Sequence, residues 1–195
     1  MKIRQHYIIR PETMALLPYQ FADGHLGTLV VEEGGEVYAA GLPKAIVERS
    51  CGYYGSSYTG RKKCAREMGY KSMPPICVCG ELGIIFVASM TERSDYCAWL
   101  AFSHVLQWHE IGKHGTVSVS LTCDKKIELP MSPGPFSGRM MRAMQYRHQL
   151  RERISKYTLE NESKRKNKPQ RISYMETGTF YIHPESHEDD RQLPV

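Results

Sequence analysis

Apolar and polar positions alternate most cleanly over residues 116–122. Val117, Val119 and Leu121 point one way and Thr116, Ser118, Ser120 and Thr122 the other, which is the two-residue period of a half-buried strand. Cys123-Asp124-Lys125-Lys126 then turns the chain into Ile127-Glu128-Leu129, which stops at Pro130. Nearer the start, Thr28-Leu29-Val30-Val31 and Val37-Tyr38-Ala39 flank Glu33-Gly34-Gly35-Glu36, and the glycine pair supplies the positive φ of a tight hairpin. Ile76-Cys77-Val78 and Gly83-Ile84-Ile85-Phe86-Val87-Ala88 are unbroken apolar runs, suited to strands buried on both faces. Between 97 and 110, Leu100, Phe102, Leu106 and Trp108 alternate with smaller or polar residues, interrupted at His104, and predict a strand in preference to a helix.

Helical signals occupy the gaps. Pro43 opens Lys44-Ala45-Ile46-Val47-Glu48-Arg49, with proline near the first helical position, where its missing N–H costs nothing. A second short helix is predicted from about Ser57 to Glu67, capped by Ser56 or Ser57, although Gly60 inside it costs about 1 kcal/mol relative to alanine. Pro74-Pro75 ends any helix there. Ser132-Pro133-Gly134-Pro135 reads as a break, after which the period becomes helical from about Ser137 to Tyr157. Met140, Ala143, Met144, Tyr146, Leu150, Ile154 and Tyr157 fall within an arc of about 160°, a core-facing stripe. Arg147 and Arg151 project into the same arc, either with stems packed at its edge and heads in water or against something anionic. From Glu160 to Pro169 the chain reads as a flexible basic linker, and Phe180-Tyr181-Ile182-His183-Pro184 is an isolated apolar patch before an acidic end. There is no internal repeat. The expected fold is α+β: an antiparallel strand-rich body with a short basic helix and a C-terminal amphipathic helix, occupying residues 1–158, followed by a basic-then-acidic tail over 159–195.

Composition narrows the class. With 195 residues and 41% apolar side chains the chain suffices for one packed domain, and disorder throughout is excluded. No apolar run approaches the ~20 residues of a membrane span, and Met1-Lys2-Ile3-Arg4-Gln5-His6 lacks the apolar stretch of a signal peptide. A soluble, cytoplasmic protein without membrane association is expected. Its six cysteines lack zinc-site spacing, since only Cys77-Val78-Cys79 comes close and no second pair exists. Reduced thiols that behave as small apolar side chains are therefore expected, with no cofactor.

The net charge of +5 is unevenly spread. Residues 43–73 carry seven basic and two acidic side chains, and residues 139–171 carry eleven and three. The remaining segments are mildly acidic, and the last stretch, 172–195, has one basic and five acidic residues. Two cationic blocks in such a body create local positive fields that attract polyanions; alternatively they solvate two helix faces.

No phosphate loop, His-Glu-x-x-His, Gly-x-Ser-x-Gly or dinucleotide fingerprint is present. Cys51 or Cys97 with His104 or His109 would make a nucleophile–base pair in principle, but nothing local supports one, and no catalysis is expected. The densest unusual segment is Arg49-Ser50-Cys51-Gly52-Tyr53-Tyr54-Gly55-Ser56-Ser57-Tyr58-Thr59-Gly60-Arg61-Lys62-Lys63. Three glycines, three tyrosines, four hydroxyl residues and four cations share its 15 positions. Ser56, Ser57 and their backbone N–H groups at a helix start are able to donate to phosphate oxygens, and Lys62 and Arg66 share one helix face. An equally good reading is a Gly-Tyr turn that packs its rings on the sheet beside a solvated basic helix.

Ile46-Val47-Glu48-Arg49-Ser50-Cys51, Tyr54-Gly55-Ser56-Ser57-Tyr58-Thr59-Gly60-Arg61-Lys62 and Pro74-Pro75-Ile76 resemble the most recognisable stretch of the ComK competence transcription factors of Gram-positive bacteria. The similarity continues through Ile84-Ile85-Phe86, Trp99, Ser103-His104-Val105 and Glu128-Leu129-Pro130-Met131-Ser132, and covers about residues 44–157. The resemblance implies a sequence-specific DNA-binding activator of DNA-uptake genes that acts at the nucleoid. It implies binding to paired AT-rich boxes of double-stranded DNA through the minor groove, as a homodimer or tetramer, and contact with RNA polymerase. Control by a MecA-type adaptor that delivers the protein to a Clp protease is implied too, although the tail after Tyr157 departs from the family's best-known members.

With that resemblance, Arg49, Ser56, Ser57, Arg61, Lys62, Lys63 and Arg66 are the expected DNA contacts, Arg61 foremost, because narrow A-tract grooves attract inserted arginines. Arg142, Arg147 and Arg151 are expected as secondary phosphate contacts or dimer-interface residues. Two other readings remain from the residues: a module that binds an acidic protein partner without DNA, and a metal- or thiol-dependent enzyme built on the Cys/His set.

Overall fold

The computed structural model describes residues 2–112, 115–164 and 172–182. In chain order the elements are β1 (Ile3–Arg4), β2 (Thr13–Gln20), β3 (Leu26–Glu32), β4 (Gly35–Ala39), α1 (Pro43–Tyr53), α2 (Tyr58–Glu67), β5 (Ile76–Cys79), β6 (Ile84–Ala88), β7 (Trp99–Ala101), a 3-10 turn (Phe102–His104), β8 (Val105–Ile111), β9 (Thr116–Leu121), β10 (Lys126–Leu129), α3 (Pro133–Lys164), β11 (Ile172–Tyr174) and β12 (Phe180–Ile182). The α+β class holds, with strands paired antiparallel except β1 on β4. The chain divides into two compact units, Met1–Arg151 and Glu152–Val195.

The first unit is built on a seven-stranded sheet in the order β1-β4-β3-β2-β7-β6-β5 and a three-stranded sheet, β10-β9-β8. One face of the large sheet, with Leu16, Val30, Ile76, Phe86 and Trp99, packs against Ile46, Val47 and Cys51 of α1 and Tyr58 of α2. Its other face, with Met14, Val31, Val87 and Leu100, packs against Val117, Val119 and Leu121 of β9 and Phe136, Met140 and Ala143 of α3. Both faces are thus covered, which is why β5 and β6 read as continuous apolar runs: Phe86 faces one core and Val87 the other. Each large side chain buried this way contributes about 1.5–3 kcal/mol.

The hairpin at the glycine pair forms as the sequence predicts, with Glu32 opposite Gly35 and Gly35 at φ +145. Two sequence expectations change. Residues 97–110 are two strands in different sheets. The 3-10 turn at Phe102–His104 carries the chain between them, and an irregularity between Val105 and Gln107 leaves Leu106 63% exposed. The Ser-Pro-Gly-Pro stretch begins α3 rather than preceding it, because prolines in a first turn lack only N–H groups that have no helical partner.

The predicted stripe is buried at Met140, Ala143 and Tyr146, half-buried at Leu150 and exposed at Met144, Ile154 and Tyr157. The polar side of β9 faces outward, yet Ser118 and Ser120 are buried. They are the short residues of a central strand between the taller, exposed Gln107 and His109 of β8 and Lys126 and Glu128 of β10.

In the second unit α3 continues through Glu160 to Lys164, where a linker is predicted, and the rest of that predicted linker lies outside the described residues. Ile172 pairs with Ile182 and Tyr174 with Phe180 in the β11–β12 hairpin, which takes up the first three residues of the apolar patch predicted at 180–184. His183 and Pro184 lie outside the described residues. Among the described residues no helix is long and apolar enough to cross a membrane.

Candidate nucleic-acid interface

The glycine- and tyrosine-rich segment is a tight link between α1 and α2. Ser50, completely buried, accepts the Ile9 N–H at 2.9 Å and donates to the Ile46 carbonyl at 2.7 Å, so it ties α1 to the strand-entry segment. Tyr54 donates to the Ile9 carbonyl, Gly55 takes φ +71, and the Ser56 N–H closes on the Cys51 carbonyl at 2.9 Å. Ser57 is the N-cap of α2 and accepts the Gly60 N–H at 3.0 Å. A Cβ on Gly60 would stand 3.0 Å from that Ser57 oxygen, so the glycine that weakens the helix protects its cap. Tyr58 packs edge-on against Trp99. Arg49 to Tyr53 continue α1, so only Tyr54–Ser57 of the glycine- and tyrosine-rich segment lie between the two helices.

Beyond this link, α2 presents its cations at two levels. Lys62 and Arg66, one turn apart, line a cavity of about 320 Å³ together with Lys71, Arg93 and an apolar floor that includes Pro74 and Trp99. Lys44 of α1 and Lys63 border the same region, where Lys44 and Lys62 stand 5.9 and 5.8 Å from the Tyr58 ring. Lys62 pairs with Glu92, from the β6–β7 connection, and Tyr58 donates to the other oxygen of that carboxylate. Burial and the like charges of Arg66, Lys44 and Arg93 push the Lys62 ammonium below its usual range.

α3 supplies the second cationic block to the same place. Arg139 donates to the Ala88 carbonyl at 2.6 Å and reaches Met73 Sδ at 3.4 Å, and Arg142 donates to the Ser72 carbonyl at 3.2 Å. Tyr146 stacks edge-on with Tyr70, 5.6 Å between centroids. Three successive turns of α3 therefore clamp residues 70–73, and Ser72, Met73 and Ala88 also line the cavity under Lys62 and Arg66. Two basic blocks some 70 residues apart in sequence meet as one surface.

Of the side chains singled out from the sequence, Lys62 and Arg66 line this cavity, Lys63 borders the adjoining one, and Arg142 reaches the Ser72 carbonyl at its rim. Arg49 is exposed on α1, Ser56 is half-buried in the link, and Ser57 spends its oxygen on the cap. Arg61 is half-buried, with its Nε enclosed and unbonded. Its charge acts on the thiols of Cys51 and Cys77 and on Glu81, apart from the cavity. Arg147 is half-buried with an enclosed Nε, and Arg151 is exposed. Lys44, Lys71, Arg93, Arg139 and Glu92 are not singled out by the sequence; the charge counts of the two basic blocks take in Lys44, Lys71 and Arg139, whereas nothing local signals Arg93 or Glu92. The suggested thiol–imidazole pairs do not form. Cys51 and Cys97 are buried, and both His104 ring nitrogens are engaged, by Thr122 at 2.8 Å and the Pro11 carbonyl at 2.7 Å.

The family profile described as ComK protein matches residues 4–155. The chain belongs to the ComK family. The Competence transcription factor of Bacillus subtilis (strain 168) is 29% identical over 151 residues, which cover 77% of this chain and 78% of that protein. No solved structure matches. The ComK match takes in both sheets, α1, α2, and α3 up to Ile154–Ser155, and so contains the whole cationic surface.

Proposed function

We propose that this ComK protein is a competence transcription factor that binds double-stranded DNA through the surface where α2 and the first turns of α3 converge. It reads AT-rich boxes in the minor groove, with two or more protomers on paired sites. The reading rests on the meeting of the two basic blocks at Ser72, Met73 and Ala88, and the relative in Bacillus subtilis, named a transcription factor, supports it. Arg66 and Arg93 are exposed, and among the described residues neither has a carboxylate partner within ion-pair distance. They are free to enter a narrow groove whose potential is enhanced over A-tracts. Lys63, Lys71 and Arg142 contact phosphates, and Arg49, Arg61, Arg147 and Arg151 flank the footprint.

Fluorescence-anisotropy titration of AT-rich and GC-rich duplexes at several salt concentrations tests this. The parent binds the AT-rich duplex more tightly, and affinity falls steeply with salt. Arg66→Ala loses ~1–3 kcal/mol on the AT-rich duplex and little on the control, whereas Lys71→Ala weakens both alike and lowers the salt slope by about 1. Parent-like binding of both duplexes by Arg66→Ala would place the interface elsewhere.

A further inference from the structure

Glu92 stands where an anionic ligand would. It lies on the connection between β6 and β7, outside any helix or strand, so it moves at less expense than a residue held in a hydrogen-bonded ladder. One of its oxygens takes the Lys62 ammonium and the other the Tyr58 hydroxyl. Arg66 and Arg93 line the same cavity as Lys62, and Lys44 stands by the same Tyr58 ring; burial first, and then these like charges, disfavour the charge of that ammonium. Lys44 is already matched by Glu48, 3.4 Å away on the next turn of α1, which leaves Glu92 as the carboxylate on Lys62. An ammonium and a hydroxyl gripping two oxygens of one anion, with further cations around them, is a donor set that a phosphodiester satisfies equally well.

We propose that Lys62 and Tyr58 form a phosphate site in the DNA surface and that Glu92 fills it in the free protein, to be displaced by a backbone phosphate on binding. This rests on the DNA-binding reading given above for the source of the phosphate. The site then discriminates by competition. A loosely placed polyanion does not dislodge a carboxylate already bonded at both oxygens, whereas a duplex seated in register does, so Glu92 lowers affinity overall and lowers it most for ill-fitting partners.

The test uses the full chain and a short AT-rich duplex in anisotropy titrations, with folding of each variant checked by circular dichroism. Glu92→Gln and Glu92→Ala bind on the order of fivefold more tightly than the parent, as loss of a competing charge requires. Lys62→Met costs more affinity in the Glu92→Gln background than in the parent, because in the parent Lys62 is already occupied. If Glu92 instead positions Lys62, the folded variants bind equally or less tightly, and the proposal falls. Failure of both variants to fold overturns it too, since a carboxylate that leaves on binding is not one the fold depends on. If neither parent nor variants bind any duplex, the DNA reading fails, and melting in inorganic phosphate decides the site separately. A larger phosphate-induced rise in Tm for Glu92→Gln than for the parent upholds it, and an equal rise overturns it.

Discussion

Cys51 and Cys77 show how much of this molecule's chemistry is set by burial. Both thiols are buried, Cys51 where α1 packs on the large sheet and Cys77 in the cluster of Ala65, Tyr70, Ile85 and Tyr146, and desolvation pushes each from its ordinary value near 9.0 up to about 11. A thiol that resists ionisation in the folded state contributes its full stability below the unfolded value and loses it as pH climbs past that value toward the folded one. Tyr7 and Tyr58, also raised by burial, act in the same direction, while the lowered Lys62 ammonium opposes them. Urea unfolding should give a midpoint that is flat from pH 7 to about 8.5 and falls progressively between pH 9 and 11; an unchanged midpoint at pH 10.5 contradicts the burial of these groups. Single residues were partly legible from sequence. That a serine caps α2 follows from residue type and position, but choosing Ser57 over Ser56 required the turn that Gly55 makes. The sequence puts Arg61 foremost because narrow A-tract grooves attract inserted arginines, yet a helix rotates each successive residue by about 100°, and that step turns Arg61 toward the buried Ala65 side while Lys62 faces the cavity.

At the scale of elements, α3 acts as a clamp, and Arg139 is its best-anchored tooth. Burial lowers the affinity of its guanidinium for the proton, with Arg142 adding to the effect, and its bond to the Ala88 carbonyl ties the helix to the end of β6. Arg139→Ala leaves that carbonyl without its charged donor and should lower stability by about 1.5–3 kcal/mol in urea unfolding. A neutral result would mean the clamp carries no load there. Local patterns identified most elements: the hairpin at Gly34-Gly35, the Pro43 helix start and the β9–β10 turn need only neighbouring residues. Alternation predicts one strand at 97–110 where the structure has two, because alternation reports which side a residue takes, not which sheet it belongs to, and the change of sheet happens at Phe102–His104. The start of α3 lies earlier than the sequence predicts, because Pro133 and Pro135, which read locally as a break, suit a first helical turn.

For the whole molecule, the sequence held both cationic blocks but not their meeting. Lys62 and Arg66 share the Ser72–Ala88 rim of one cavity with the bonds from Arg139 and Arg142 because α2 stops at Glu67, Gly69 turns the chain at φ +99, and α3 folds back over residues 70–73, a consequence of tertiary arrangement that no window of sequence displays. The same convergence brings in Arg93, which sits in a mildly acidic segment and has no local signal at all. If this surface is where DNA lies, its backbone and that of the 70–73 loop become shielded together when a duplex binds. Amide hydrogen exchange of the full chain, with and without a saturating AT-rich duplex, measures that directly. Slowed exchange concentrated at residues 58–73, 90–94 and 136–143 is the predicted result. Unchanged exchange there, with slowing confined to the outer face of β8, β9 and β10, would contradict the account.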